Sequence, residues 1–200
     1  MTRLLTKEIA SRLQENSVAE ISTQMFELYG SGPERIDLDD ETVVVIGAPV
    51  YVGKVPLPAV RALDKFNANG AVAVAAVTYG ARTYGNALYE LQHYAEVHGF
   101  KVIGAGAFSM DRRRHSEMSG KGEFAGDIDT VVSFSKAAAA KIMRLSGSEI
   151  EGLKIKPAPL EVAGRLPVHF TSRVSPRAAA VAQRVLESVC VRRKASEWFL

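Results

Sequence analysis

Three stretches of this chain are apolar almost without interruption, and helical segments separate them. Thr42 to Ala48 reads Thr-Val-Val-Val-Ile-Gly-Ala; Val72 to Tyr79 and Lys101 to Phe108 have the same character. A strand with one face in water alternates apolar and polar residues. A continuous β-branched run predicts burial on both faces, as in a parallel sheet covered by helices on each side. Around these runs the periodicity predicts helices over residues 54–67, opened by Pro56 and Pro58, and over 84–98, stopped by Gly99. A third helix is expected over 127–145, capped near Asp127 or Asp129. Ahead of them, Leu4, Leu5, Ile9 and Leu13 recur at helical spacing and predict an amphipathic helix over 2–15, ended by Asn16-Ser17. A short strand over 17–23 and a loop at Gly30-Ser31-Gly32-Pro33 follow. The alternation defines an α/β chain with a right-handed, mainly parallel sheet.

The texture changes near Gly147. Residues 154–167 contain three prolines and no period, and read as an extended arm. Residues 178–191 suit one more helix, and 192–200 carry no assignable pattern. The division expected is a domain over 1–148, an arm or linker over 149–170 and a tail over 171–200, without internal repeats. The 200 residues are 47% apolar and 24% charged, enough apolar content for a packed core. A net charge of +3 is too mild to argue for nucleic acid. Cys190 is the single cysteine, which excludes a disulfide framework, a zinc site or an iron–sulfur cluster within the chain. His93, His98 and His169 have no metal-ligand spacing. The most apolar stretch, Ala71 to Val77, is too short to span a bilayer. With no targeting signal at the front, the expectation is a cytoplasmic protein that engages neither membrane nor nucleic acid.

A doubly wound sheet normally begins with a strand, and here a helix comes first. Without that strand its neighbours lose a ladder each, across a gap of two strand spacings, about 9.6 Å. Either the sheet closes up, another segment fills the gap, or the natural protein starts upstream of Met1; the last is the expectation.

Two segments lie where open α/β sheets bind ligands, just past the carboxyl ends of consecutive strands. The first is Gly47-Ala48-Pro49-Val50-Tyr51-Val52-Gly53-Lys54-Val55-Pro56. The second is Thr78-Tyr79-Gly80-Ala81-Arg82-Thr83-Tyr84-Gly85-Asn86. Each has glycines for tight backbone paths and tyrosines with a flat face and a polar tip. Backbone N–H groups near Gly80 and Ala81 suit a planar, carbonyl-rich ring, and a tyrosine suits stacking on it. The alternatives are ordinary strand–helix turns, with Thr83 a helix cap and Tyr51 and Tyr84 packing residues.

Together the two loops resemble the flavin-ring loops of flavodoxin-like domains, in particular the flavodoxin-like half of flavodoxin–ferredoxin fusion proteins of anaerobic bacteria. Gly99-Phe100-Lys101-Val102-Ile103, Ala107-Phe108 and His115-Ser116 extend the resemblance, which covers residues 2 to 165. It implies a flavodoxin-like three-layer sandwich with a parallel sheet, its first strand missing, and FMN as cofactor. It places Pro49, Val50, Tyr51, Val52 and Gly53 against the dimethylbenzene side and ribityl chain, and Thr78, Tyr79, Gly80, Ala81, Arg82 and Tyr84 around the pyrimidine edge. In that family a Ser/Thr-Gly-rich loop cradles the phosphate at a helix N-terminus. Thr2-Arg3 is all that corresponds to it, so Thr2 is the one phosphate candidate and FMN retention is expected to be weak or absent. The family's ferredoxin module, with its Cys-x-x-Cys-x-x-Cys spacing, has no counterpart.

The function implied is FMN-dependent electron transfer with a redox partner such as a ferredoxin. No residue is needed as acid, base or nucleophile, because the flavin carries the electrons. An NAD(P)H-dependent flavin reductase and a cofactor-free protein-interaction scaffold are the alternatives. Asp111-Arg112-Arg113-Arg114-His115 would steer an acidic partner or stand as a solvated basic loop. Gly104-Ala105-Gly106, inside a strand, reads as close helix–strand packing.

Overall fold

A computed structural model describes residues 2–16, 21–27, 34–80, 83–110, 127–144 and 187–193. In chain order the elements are α1 (Thr2–Glu15), β1 (Ile21–Glu27), β2 (Ile36–Asp37), β3 (Thr42–Pro49), α2 (Leu57–Leu63), β4 (Phe66–Asn67), β5 (Val72–Tyr79), α3 (Ala87–Val97), β6 (Lys101–Ser109), α4 (Ile128–Arg144) and β7 (Glu187–Arg193). The main sheet has the order β1-β7-β3-β5-β6. β3, β5 and β6 are parallel, while β7 runs antiparallel to both β1 and β3.

The uninterrupted apolar runs are the strands buried on both faces. All of β3 is buried, and its residues divide by parity between two cores. Val44, Ile46 and Ala48 join Ala59, Ala62 and Leu63 of α2 and Ala87, Leu88, Leu91 and Ala95 of α3. Val43 and Val45 join Leu5, Ile9, Ala10 and Leu13 of α1 and Val131, Ala138 and Ala139 of α4. Two residues of opposite parity thus each fill a core, at roughly 1.5–3 kcal/mol for a fully buried Val or Ile. The chain is therefore α/β, with helices on both faces of one sheet. The close packing read from Gly104-Ala105-Gly106 is present: a Cβ on Gly106 would meet the rings of Phe108 and Phe134.

Several boundaries differ from the sequence reading. The strand expected over 17–23 runs from Ile21 to Glu27, because β7 pairs with all seven of these residues; residues 17–20 lie outside the described residues. The helix expected over 54–67 shrinks to Leu57–Leu63. Lys54 is taken up in a turn with Tyr51, and Phe66–Asn67 pairs in parallel with Ile36–Asp37 as a small second sheet. The helix expected from Tyr84 starts at Ala87, with Asn86 as its N-cap. Gly99, at φ +86°, ends it as expected.

The largest correction concerns the tail. Within the helix expected over 178–191, residues 187–191 are strand, continuing to Arg193. The gap between β1 and β3 is filled: Val189, Cys190 and Val191 stand opposite Val45, Val44 and Val43 on one side, and Met25, Gln24 and Thr23 on the other. Helical propensity is weak beside two open ladders, and β-branched Val189 and Val191 suit the pleat. So residues 187–193, assigned to a separate tail, belong to the sheet of the first domain. The arm over 149–170, the loop at 30–33 and the basic segment 111–115 with Ser116 lie outside the described residues.

Candidate functional site

The two expected ligand loops stand side by side at the carboxyl edge of the sheet. β3 leaves the sheet through Val50, whose N–H donates to the Thr78 carbonyl at 2.9 Å, so the first loop is stitched to β5 as it departs. Tyr51 and Lys54 then exchange backbone hydrogen bonds of 2.9 and 3.0 Å. The two residues between them, Val52 and Gly53, have φ of +52° and +74°, the signs of a type I′ turn. Glycine accepts this freely. A β-branched valine does not, at about 1–2 kcal/mol for a left-handed L-residue. The turn nonetheless presents Val52 to solvent at 54% exposure, beside Tyr51 at 39%.

Glu90 of α3 holds the base of this turn. Its carboxylate accepts the Val55 N–H at 2.9 Å and lies 3.8 Å from Lys54 Nζ. Farther along α3, burial raises the Tyr94 phenol above its usual range and the charge of Glu90 adds to this.

The second loop is clamped to the first. Asn86 N–H donates to the Gly53 carbonyl at 2.8 Å. Gly85, at φ +54°, lies so close that a Cβ would come 2.6 Å from the Gly53 oxygen. Gly85 N–H also donates to Thr83 Oγ1 at 3.1 Å, so Thr83 shapes the turn ahead of the cap instead of capping α3. Tyr79 and Tyr84 have ring centroids 5.5 Å apart at 57°, and Tyr84 is 37% exposed. Among the described residues Asn86 makes no side-chain cap bond, and its buried Oδ1 has no partner there, an orphaned acceptor at the joint of the two loops.

Of the twelve residues singled out for a cofactor, Pro49, Val50, Tyr51, Val52 and Gly53 form the first loop and Thr78, Tyr79, Gly80 and Tyr84 line the second; Ala81 and Arg82 lie outside the described residues. Thr2 is at the same edge but turned inward. Its hydroxyl is 2.6 Å from that of Thr78, and both residues are about 1% exposed. The methyls of Thr2 and Thr6 lie against Gly47 so tightly that a Cβ there would collide with Thr6. Thr2, paired with Thr78 inside the molecule, does not fit a phosphate; what the two loops leave exposed is the apolar set Tyr51, Val52 and Tyr84. Sequence reasoning missed Glu90 and gave Asn86, the last residue of the second segment, no role of its own. Glu90 lies 35 residues from the N–H it accepts, and nothing local marks such a pair.

Among the described residues no group of His, Cys, Asp and Glu could hold a metal ion, and no helix is long and apolar enough to cross a membrane. Comparison with family models, curated proteins and solved structures finds no match to this chain.

Proposed function

We propose that this chain is a flavodoxin-like electron-transfer domain of the cytoplasm that takes the isoalloxazine ring of FMN between its two carboxyl-edge loops. The observation that carries this reading is the Gly53–Gly85 clamp, which sets three exposed apolar residues, Tyr51, Val52 and Tyr84, on two loops joined by the Asn86–Gly53 hydrogen bond. Such a rim suits a flat ligand: stacking against a tyrosine contributes roughly 0.5–1.5 kcal/mol beyond area burial.

The flavin supplies the redox chemistry when bound. The chain's own residues orient it and limit the water around it. Tyr51 and Tyr84 cover ring surface, and Glu90 keeps the first loop from swinging away. An exposed rim leaves a ring edge open to a redox partner such as a ferredoxin.

Flavin fluorescence quenching tests the proposal. Saturable quenching by this chain is expected, weakened several-fold in Tyr84→Ala and Tyr51→Ala. Absence of quenching, or quenching indifferent to both substitutions, would sink it.

A further inference from the structure

We infer that Ser109, at the end of β6, is a further contact of the ring site, its hydroxyl meeting the polar edge of the ligand beside Tyr79. The inference rests on the ring site proposed above and adds to it a residue that belongs to neither loop.

Its ground is the register of β6. This strand starts parallel to β5 with Val72 opposite Lys101 and Ala73 opposite Val102, but the next pair is Val74 and Gly104. Ile103 is the extra residue, a β-bulge, and its carbonyl accepts a hydrogen bond from Lys141 Nζ of α4 at 2.9 Å. Side chains alternate along a strand, so one inserted residue transfers everything after it to the opposite face. The packing follows that transfer. Val102 belongs to the core under α2 and α3, and Ile103 to the core under α1 and α4. Past the bulge, Ala105 and Ala107 pack on the first of these cores. A Cβ on Gly104 or Gly106 would meet Phe134 of α4. Phe108 lies in the second core, its ring centroid 5.3 Å from that of Phe134.

The bulge decides what β6 offers at the ligand edge. In a ladder without it, each residue past Ile103 would pair one place farther on, and Phe108 would stand opposite Tyr79. With it, Phe108 is withdrawn beneath α4, opposite Thr78, and Ser109 stands opposite Tyr79. Paired residues of adjacent strands point to the same face, one strand spacing apart, about 4.8 Å. Tyr79 continues the parity of Ala73, Ala75 and Val77, which fill the core under α3. Ser109 is therefore on the α3 side of the sheet, beside the Tyr79 ring that meets Tyr84. The Met110 N–H donates to the Tyr79 carbonyl at 2.8 Å and holds the end of β6 against the second loop. Ser109 is exposed. A hydroxyl both donates and accepts, which suits the alternating N–H and carbonyl groups on the pyrimidine edge of a flavin.

The test is flavin fluorescence quenching by the full chain, by Ser109→Ala and by Ser109→Thr, titrated with FMN. Ser109 is exposed at a strand end, where neither substitution disturbs a core. The dissociation constant is expected to rise about fivefold in Ser109→Ala, the worth of one hydrogen bond, and to stay at the parent value in Ser109→Thr, which keeps the hydroxyl. An alanine variant that binds as tightly as the parent, or a threonine variant as weak as the alanine one, overturns the role of Ser109 and leaves the ring site standing. If the parent chain itself quenches no flavin, the ring site is absent and both readings fall together.

Discussion

Val52 is the residue under most local strain at the site. It is β-branched, exposed and held at φ +52°. In a type I′ position asparagine is at ease, so Val52→Asn is expected to raise stability by about 1 kcal/mol, read as a higher midpoint in urea. If Val52 contributes apolar contact to the ring, the same variant binds flavin more weakly; stability and affinity then move in opposite directions. Gly47 makes the reverse prediction. Gly47→Ala drives a methyl into Thr6 and is expected to cost about 1–3 kcal/mol. Thr6→Ser removes the opposing methyl, so the double variant recovers much of that loss, and a double-mutant cycle measures the coupling. Additive losses would show that α1 does not sit against β3 at this glycine.

At the scale of elements, helix ends follow local chemistry. Asp127 accepts hydrogen bonds from the Thr130 N–H at 3.2 Å and from its hydroxyl, and these hold its carboxyl below the ordinary value of 3.8. A carboxyl whose folded pKa is depressed releases its proton more readily in the folded state, so the unfolded chain binds more protons across that interval. The contribution to stability is complete above the unfolded pKa and disappears as the pH falls through the folded one. Melting temperatures from pH 6 down to pH 2 should therefore decline less steeply below 3.8 for Asp127→Asn than for the parent chain; parallel curves would remove Asp127 as the cap. The positions of α1, α3 and α4 were legible for the same reason: spacing, a capping residue and Gly99 act within one turn. The early end of α2 was not legible, since Phe66–Asn67 is withdrawn from the helix by Ile36–Asp37, which lies far off in the chain.

For the molecule as a whole, β7 holds the sheet together. Without it β1 and β3 would stand two strand spacings apart, each with an unpaired ladder. Backbone amides of Val189 to Val191 are therefore expected to exchange hydrogen about as slowly as those of Val43 to Val45, read by mass spectrometry. Exchange faster by orders of magnitude would mean that the slot is not closed by this segment. Deleting residues 187–200 is expected to abolish the cooperative unfolding transition, for domains have only about 5–15 kcal/mol of net stability to lose.

The amino-acid sequence alone determined the α/β class, the three strands buried on both faces and the two loops at their carboxyl ends. Each of these is written in consecutive residues: Val43 to Ile46 can be nothing but interior, and a turn after a buried strand must lie at its end. What only the tertiary structure decided involves residues distant in the chain. Gly53 meets Gly85, Glu90 accepts the Val55 N–H, Thr2 spends its hydroxyl on Thr78, and Glu187–Arg193 becomes a strand instead of a helix. The physical reason is that a hydrogen-bonding ladder left open by one part of the chain is satisfied by whichever segment can reach it. Val189 and Val191 are β-branched and suit a strand, but nothing near them in the chain marks β1 and β3 as its neighbours.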